Sequence, residues 1–355
     1  KATGAKIHSQ PVAQFTGIGT DTRVDLTGQL FIALAGENYD AHRFLQQAVD
    51  KGATGLIVHE NLEKIFPADR LPQILAKVSV FQVQDTLQAL QDLAHATRLQ
   101  SQAKVVGITG SNGKTTSKEF SAAVLSSKFQ VHFPKGSFNN HWGVPLTLLA
   151  QPEKTEISLI EMGMNHAKEI QRLCEIAEPD IVVCSMVGRA HIEHFGTIQA
   201  IAAAKEEIYQ FAKADAIRIY NLDNQLTHSM WERAQKQYPK AKKIITFSQN
   251  PSSGADICLQ IKKLTMSSLQ LVGSIAGVSI EAMVPVFGEH NLVNLMVAAS
   301  IGYALGMSAH EIELALPRCR TNWGRNQLVH LQSGAELLFD GYNANPDSMK
   351  ALIDN

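Results

Sequence analysis

The amino-acid sequence predicts an α/β fold built around a doubly wound, mostly parallel β-sheet, and two observations lead to it. Short apolar runs rich in β-branched residues alternate with stretches of helical periodicity along most of the chain. Several of these runs are continuously apolar, which is typical of strands that helices cover on both faces of a sheet. A chain of 355 residues with 45% hydrophobic and 18% charged residues has room for two or three folded domains.

The first hundred residues predict a small α/β domain of their own. Its candidate strands are residues 30–34, 55–59 and 78–83, and its candidate helices are residues 42–51 and 85–99. Asp85, with Gln88 three residues later, has the pattern of a helix N-cap. The polar residues 101–104 separate this domain from the next apolar run, so we assign residues 1–102 to an amino-terminal domain.

Residues 103–316 predict a larger central domain. Its candidate strands are residues 105–109, 129–133, 157–163, 180–188, 216–223 and 243–248, and its last helices are expected near 290–305 and 308–316. Residues 255–287 consist of shorter alternating pieces, which predicts an antiparallel extension of the sheet. Pro317 and the polar residues after it mark a second boundary before a strand candidate at residues 336–342.

The charge and cysteine content exclude several functional classes. The 32 basic and 33 acidic residues give a net charge of −1, so no overall field directs the protein to nucleic acid or to an anionic membrane. The sequence has neither the apolar run of a signal peptide nor the ~18 apolar residues of a membrane span. Its four cysteines form no C-x-x-C pair and are expected to be buried and reduced. We therefore expect a cytoplasmic protein that binds no nucleic acid.

The most informative segment is residues 105–116, in which a predicted strand, a glycine-rich turn, Gly-Lys-Thr and a helix follow one another. This order places backbone N–H groups and a helix N-terminus around a polyphosphate, with Lys114 as a positive charge and Thr115 as a hydroxyl ligand for Mg²⁺. Ile108 stands where the strict pattern requires its first glycine, and Gly107 lies one residue earlier. The loop alone leaves kinase, switch, motor and ligase open.

The variant TGSNGKTT at residues 109–116 resembles the phosphate loop of the Mur ligases, which add amino acids to the peptidoglycan precursor with ATP. Other segments resemble the same family: residues 20–23 (TDTR), 28–44, 137–145 (SFNNHWGVP), 161–166 (EMGMNH), 288–294 (GEHNLVN) and 340–349 (DGYNANPDSM). The later segments are most similar to the member that attaches D-alanyl-D-alanine to UDP-N-acetylmuramoyl-tripeptide. The resemblance therefore implies these two substrates, ATP and Mg²⁺, and an acyl-phosphate intermediate.

The resemblance also implies which residues bind ATP and the metal. The implied ATP-binding residues are Gly110, Ser111, Asn112, Gly113, Lys114, Thr115, Thr116, Asn291, Arg325 and Asp340, and the implied metal ligands are Thr115, Glu161, His191 and Lys205, the last as a carbamate. Lys114, Lys205 and His191 are the implied catalytic residues. The residues themselves also point to Glu161, because it ends an apolar strand and a carboxylate buried there favours either a metal ion or a basic side chain as its partner. Asn291 and Asn294 lie on one helical face, where an amide can pair with an adenine edge.

For the precursor substrate, the resemblance implies Thr22, Arg23, Asp40, His42, Asn139 and Asn140. A hydroxyl and a forked guanidinium, as at Thr22 and Arg23, are suited to a pyrophosphate. His191 and His194, with Glu193 between them, raise a zinc site as an alternative, but their spacing lacks the H-E-x-x-H arrangement.

The domain assignment implied by the family completes the prediction. Residues 1–102 would bind the UDP-precursor, residues 103–316 would bind ATP, and residues 317–355 would begin a Rossmann-like carboxyl-terminal domain. We accordingly expect the chain to be a monomeric fragment of a longer ligase, competent at most for uridine and partial ATP binding. Two alternatives remain open: the ligase that adds the third amino acid, and a nucleotide-binding module without turnover.

Overall fold

A computed structural model of the protein describes residues 2–36, 39–325, 327–342, 344 and 346–354. Four residues of the motifs, Glu37, Asn38, Asn343 and Asn345, lie outside the described residues. The chain divides into two compact units, one comprising the residues up to Ser101 together with His141–Gln151, the other the remaining residues.

The elements are numbered in chain order. The strands are β1 (Lys6–Ser9), β2 (Ile18–Gly19), β3 (Leu30–Ile32), β4 (Ala35–Gly36), β5 (Tyr39–Asp40), β6 (Gly55–Val58), β7 (Ser79–Gln82), β8 (Lys104–Thr109), β9 (Val131–His132), β10 (Ile157–Glu161), β11 (Ile181–Cys184), β12 (Ile217–Asn221), β13 (Ile244–Ser248), β14 (Ile257–Leu264), β15 (Leu269–Ile275), β16 (Val278–Val284), β17 (Gln327–His330) and β18 (Glu336–Phe339). The α-helices are α1 (Leu45–Asp50), α2 (Leu62–Ile65), α3 (Leu71–Lys77), α4 (Thr86–Gln100), α5 (Lys114–Leu125), α6 (Gly143–Leu149), α7 (Glu169–Ala177), α8 (Ile192–Phe195), α9 (Ile198–Gln210), α10 (Gln225–Gln237), α11 (Asn291–Ala304), α12 (Ala309–Ala315) and α13 (Pro346–Asp354).

The first unit contains a five-stranded sheet in the order β1-β7-β6-β3-β2. Strands β2, β3, β6 and β7 run parallel, and β1 pairs antiparallel with β7. Buried apolar residues such as Phe31 and Leu56 form its core. Asp85 caps α4 as predicted, because its carboxylate accepts the backbone N–H groups of Leu87 and Gln88 at 2.7 and 3.0 Å.

Helix α6 belongs to this first unit, although our boundaries place residues 103–316 in the central domain. Leu146 and Leu149 pack against an apolar cluster of the first unit. Gln91 on α4 donates a side-chain hydrogen bond to the backbone oxygen of His141 at 3.0 Å. These contacts join segments about fifty residues apart in the chain, and no local pattern specifies them. The predicted boundaries after residues 102 and 316 stay predictions.

The second unit contains a nine-stranded sheet in the order β16-β15-β14-β13-β12-β11-β8-β10-β9. The seven strands β8 to β14 are parallel, and β15 and β16 extend the sheet antiparallel. Helices α5, α11 and α12 contact one another, and α7 and α10 each contact α9, so helices cover the sheet as two separate layers. The predicted doubly wound, mostly parallel sheet and its antiparallel extension are confirmed.

Strand β8 lies at the point where the strand order reverses. It is hydrogen-bonded to β10 on one side and to β11 on the other. The chain therefore passes from one side of β8 to the other in the connection that leads from β10 to β11. Open α/β sheets bind ligands in the crevice that such a reversal creates at the carboxyl ends of the strands. The glycine-rich loop predicted from the sequence begins at this end of β8.

The remaining features of the second unit include a small hairpin of β17 and β18, followed by α13. The four cysteines are buried and free, as predicted. Among the described residues, no helix combines the length and the apolar character that crossing a membrane requires.

Candidate nucleotide-binding and catalytic site

The loop between β8 and α5 depends on glycine at both of its ends. Gly110 and Gly113 have φ angles of 154° and 79°. A Cβ atom at Gly110 would collide with Ser185 Oγ, and one at Gly113 would collide with Asn294 Oδ1. Glycine therefore lets the loop backbone lie against β11 on one side and α11 on the other.

Hydrogen bonds to the segment after β11 hold the loop in place. Ser111 Oγ donates to the backbone oxygen of Gly188 at 3.0 Å and accepts the backbone N–H of the same glycine at 2.8 Å. Ser185 Oγ donates to the backbone oxygen of Asn112 at 2.8 Å. These contacts fix the loop before any ligand binds. A preformed loop binds phosphate without a further ordering cost.

The loop leads directly into the N-terminus of α5. Gly113 is the N-cap of this helix and offers no side-chain acceptor, so the first N–H groups of α5 are available to an anion. Lys114 Nζ donates to the backbone oxygen of Gly110 at 3.0 Å. Burial lowers the pKa of Lys114, against the opposing influence of Glu161. Thr116 is buried on the same helical turn.

Glu161 forms an oxygen-rich cluster beside the loop. It ends β10, as predicted, and only 1% of the residue is exposed. Its Oε2 atom accepts a hydrogen bond from Thr115 Oγ1 at 2.9 Å, and its Oε1 atom accepts one from Asn139 Nδ2 at 2.8 Å. A carboxylate and a hydroxyl are hard oxygen donors of the kind that Mg²⁺ prefers. The residues present therefore fit a magnesium ion.

Lys118 belongs to this cluster, and the sequence analysis missed it. The residue is fully buried, and its Nζ atom lies 3.9 Å from Glu161 Oε2. Nζ also donates to the backbone oxygens of Pro134 and Gly136, at 2.9 and 2.5 Å. Burial lowers the pKa of Lys118, although the carboxylate of Glu161 opposes the shift. In the sequence, Lys118 cannot be told from a solvated helix lysine.

Lys205 and His191 lie close enough to Lys114 for the charges to interact. Lys205, on α9, is 1% exposed, and burial together with the charge of Lys114 lowers its pKa to about 7. Burial also lowers the pKa of His191, and Lys114 and Lys205 add to the shift. The structure thus brings together the three side chains that the sequence analysis assigned to catalysis. Their roles stay predictions.

The alternative of a zinc site gains no support. The imidazole rings of His191 and His194 are 6.5 Å apart, and the second ring lies 5.7 Å from that of His166. No group of three or more His, Cys, Asp or Glu side chains within the described ranges could hold a metal ion. A structural zinc site needs four such ligands.

The predicted adenine-binding amides lie on α11, beside the loop. Asn294 Oδ1 accepts from Ser117 Oγ and its Nδ2 donates to Asn291 Oδ1, both at 3.0 Å. Asn291 Nδ2 in turn donates to the backbone oxygen of Phe287 at 2.7 Å. Of the two amides it is therefore Asn294 that contacts the loop, at Gly113.

Arg325 and Asp340 come from the segment that carries β17 and β18. The Arg325 guanidinium lies 4.1 Å above the ring of Tyr342. Burial lowers the pKa of His290, and the nearby carboxylate of Asp340 partly opposes this shift. Tyr342 Oη donates to Ser137 Oγ at 3.0 Å, so this segment reaches the cluster around Glu161.

The residues predicted for the precursor lie mostly in the first unit. Arg23 binds the Asp21 carboxylate through two hydrogen bonds, from Nε to Oδ1 at 2.9 Å and from Nη2 to Oδ2 at 2.7 Å. The hydrogen bonds from Arg23 lower the pKa of Asp21 to about 2. Thr22 is buried and donates to Gln47 Oε1 at 3.1 Å. Asn139 and Asn140 belong to the second unit, where Asn140 is exposed.

Asp40 and His42 form a connected pair in the first unit. Asp40 Oδ1 accepts both the backbone N–H and Nδ1 of His42, at 2.9 and 2.6 Å. Burial raises the pKa of Asp40, but these two hydrogen bonds, together with the nearby rings of His42 and His59, lower the pKa overall. His42 Nε2 accepts the N–H of His59 at 3.1 Å, which places the histidine proton on Nδ1.

The fold and the loop together define an α/β nucleotide-binding protein with a phosphate loop at the carboxyl edge of a mostly parallel sheet. Comparison with known proteins identifies the family. The model of the Mur ligase middle domain matches residues 108–302, and that of the Mur ligase family catalytic domain matches residues 14–98. The chain belongs to the Mur ligase family.

Individual members give a closer comparison. The chain is 35% identical to the UDP-N-acetylmuramoyl-tripeptide--D-alanyl-D-alanine ligase of Bacillus subtilis, over 95% of this chain and 69% of that protein. The crystal structure of MurF from Acinetobacter baumannii matches with a TM-score of 0.87 and 30% identity, over 99% of this chain and 74% of the other. MurF from Thermotoga maritima, in complex with ADP, matches with a TM-score of 0.78 and 26% identity, over 95% and 74%.

Proposed function

We propose that this protein is an ATP-dependent ligase that joins D-alanyl-D-alanine to UDP-N-acetylmuramoyl-tripeptide in peptidoglycan precursor synthesis. The observation that carries the proposal is the cluster of Thr115, Glu161 and Asn139 beside a preformed phosphate loop. The similarity to ligases of this specificity, over nearly the whole chain, supports it. A cytoplasmic location and a monomeric state stay predictions.

The reaction has two steps. The terminal carboxylate of the tripeptide attacks the γ-phosphorus of ATP, so that an acyl phosphate forms and ADP leaves. The amine of D-alanyl-D-alanine then attacks the acyl carbon, an amide bond forms, and phosphate leaves. The first step brings together two anions, so positioning and charge neutralisation dominate its catalysis.

The loop and α5 would hold the phosphates of ATP. Lys114, now bonded to the Gly110 carbonyl, can exchange this oxygen for a phosphate oxygen of ATP. Thr115 and Glu161 would hold Mg²⁺, which supplies charge neutralisation at the transferred phosphoryl group. Asn139 holds the carboxylate of Glu161 in place by donating a hydrogen bond to its other oxygen, Oε1. Asn291, Asn294, Arg325 and Asp340 are proposed nucleotide contacts.

Lys205 is proposed to act as a carbamate. Only a neutral amine attacks carbon dioxide, and a lysine whose pKa is about 7 is largely neutral slightly above that pH. The carbamate would be an anion close to Lys114 and His191. It would remove the repulsion from a charged Lys205 that adds, beside burial and Lys114, to the lowered pKa of His191. His191 would complete the metal-binding side chains.

In the first unit, Thr22, Arg23, Asp40 and His42 are proposed to bind the UDP part of the precursor. Arg23 is largely exposed and forms a surface ion pair with Asp21, so the guanidinium can turn to a pyrophosphate. Asp40 and His42 are already ordered by their mutual hydrogen bonds.

Phosphate release by the purified full-length protein tests the proposal. It should require ATP, UDP-N-acetylmuramoyl-tripeptide and D-alanyl-D-alanine together. Equal release with a single free amino acid in place of the dipeptide would favour the ligase of the third residue. Lys114→Ala and Lys205→Ala should each abolish turnover. A wild-type protein that binds ATP and the UDP-precursor but releases no phosphate would instead be a binding module without turnover.

A further inference from the structure

We propose that Tyr342 and Ser137 are positioning residues that fix the orientation of the Thr115 hydroxyl through a chain of hydrogen bonds running in one direction. The inference rests on the proposed function, in which Thr115 and Glu161 hold the magnesium ion of ATP. It adds two residues, Ser137 and Tyr342, to which neither the sequence analysis nor the comparisons assign a role.

Three contacts form the chain. Tyr342 Oη donates to Ser137 Oγ at 3.0 Å. Ser137 Oγ lies 3.0 Å from Thr115 Oγ1, and Thr115 Oγ1 donates to Glu161 Oε2 at 2.9 Å. The three hydroxyl groups thus lead from an aromatic ring to a buried carboxylate. We call Tyr342, Ser137 and Thr115 the hydroxyl chain.

The direction of the hydroxyl chain follows from the number of protons. A hydroxyl group has one proton to donate and two lone pairs that accept. The proton of Thr115 is engaged with Glu161, so Ser137 has to donate in the contact between them. Ser137 can do so because it receives, rather than donates, the hydrogen bond from Tyr342. Successive hydrogen bonds of one direction polarise and strengthen one another.

This arrangement leaves Thr115 with one unused lone pair. Its proton goes to Glu161 and one lone pair accepts from Ser137, so the second lone pair is the remaining acceptor position on that oxygen. A magnesium ion held by Glu161 needs such an oxygen donor. Without Ser137, the hydrogen bond to Glu161 alone would hold the Thr115 hydroxyl. The hydroxyl would then be less well ordered, and part of the cation's binding free energy would be spent on ordering it.

Tyr342 connects the hydroxyl chain to the segment that contains Arg325. The backbone N–H of Tyr342 donates to the Gly324 oxygen at 3.0 Å, and the Arg325 guanidinium packs on the tyrosine ring. Tyr342 and Ser137 are 205 positions apart in the sequence. The segment that supplies a proposed nucleotide contact therefore also sets the orientation of a proposed metal ligand.

The test compares ADP binding in Mg²⁺ and in EDTA, by isothermal titration calorimetry on the full-length protein. Tyr342→Phe and Ser137→Ala should each raise the dissociation constant in Mg²⁺ about three- to tenfold, with less change in EDTA. The double variant should match Ser137→Ala alone, because the link to Tyr342 is already broken. Tyr238→Phe and Ser158→Ala are the controls, since these hydroxyls have no hydrogen-bond partner among the described residues.

Three results would overturn the inference. The first is a wild-type protein whose ADP affinity depends on Mg²⁺ while both variants behave like the controls. The second is an equal loss of affinity in Mg²⁺ and in EDTA, which would show that the hydroxyls support only the loop. The third is a double variant whose loss in ADP binding free energy equals the sum of the losses in the two single variants. A wild-type protein that binds ADP equally with and without Mg²⁺ would instead contradict the metal site of the proposed function, and this inference with it.

Discussion

Lys118 shows how a single buried side chain can organise a site. Its ammonium group binds two backbone oxygens of the segment that leads to Ser137 and Asn139, and it faces the carboxylate of Glu161. A charge in this position compensates part of the cost of burying Glu161. It also holds the segment from which Asn139 reaches the same carboxylate.

Lys118→Met is expected to lower the free energy of unfolding by about 2 to 4 kcal/mol, because it leaves buried acceptors without their donor. Urea denaturation measures this loss. Lys128→Met is the matched control, since the ion pair of Lys128 with Glu311 is half-exposed and its loss should have a much smaller effect. A loss in the free energy of unfolding for Lys118→Met that is as small as the loss for Lys128→Met would show that Lys118 does not stabilise the cluster.

The lowered pKa of Lys205 predicts a pH dependence. The pKa is about 7 in the folded protein and ordinarily 10.5. Between these values the unfolded state binds more protons, so this lysine makes stability rise with pH, by about 1.4 kcal/mol per unit at most. Urea denaturation between about pH 7 and 10, in buffer free of carbon dioxide, should show a smaller rise for Lys205→Met. If the free energy of unfolding rose equally with pH in the wild-type protein and in Lys205→Met, the lowered pKa of Lys205 would be contradicted.

Carbamylation of Lys205 can be observed without turnover. Isotope-labelled bicarbonate should give the wild-type protein a carbamate signal by carbon NMR, because the buried amine is neutral near pH 8. Lys205→Met should lack this signal. A wild-type spectrum identical to that of the variant would remove the carbamate from the proposed site.

At the scale of single elements, the cap of α4 gives a test of the first unit. Asp85 accepts two backbone N–H groups of the first helical turn, and such a cap contributes about 1 kcal/mol. Asp85→Ala should therefore speed hydrogen exchange of the amides at the start of α4 several-fold. Asp69→Ala, at an exposed turn, is the control. Unchanged exchange in both variants would show that the cap does not hold the helix end.

Local patterns predicted the elements well wherever the cause of the structure is itself local. The phosphate loop, the strand that ends in Glu161 and the cap at Asp85 were all found, since glycine positions, apolar runs and capping residues act within a few positions. Membership of α6 in the first unit was not found, because it depends on side chains that meet across about fifty residues. The contact of Tyr342 with Ser137 was missed for the same reason.

At the scale of the whole molecule, the sheet order explains why the site lies where it does. Strand β8 stands between β10 and β11, so the loop after β8, Glu161 at the end of β10 and Ser185 after β11 converge at one edge. Residues 129–223 supply the two neighbouring strands and three of the four proposed metal ligands, Glu161, His191 and Lys205. Alternation of strands and helices predicted a parallel sheet but not this order, which only long-range pairing determines.

The most direct test of the central claim is the product formed by the purified full-length protein. With ATP, Mg²⁺, UDP-N-acetylmuramoyl-tripeptide and D-alanyl-D-alanine, mass spectrometry should detect the precursor extended by the dipeptide. Glu161→Gln should lower the rate by at least about a hundredfold, since the charge at the phosphoryl group would no longer be balanced. Extension by a single amino acid in place of the dipeptide, or full activity of Glu161→Gln, would contradict the account.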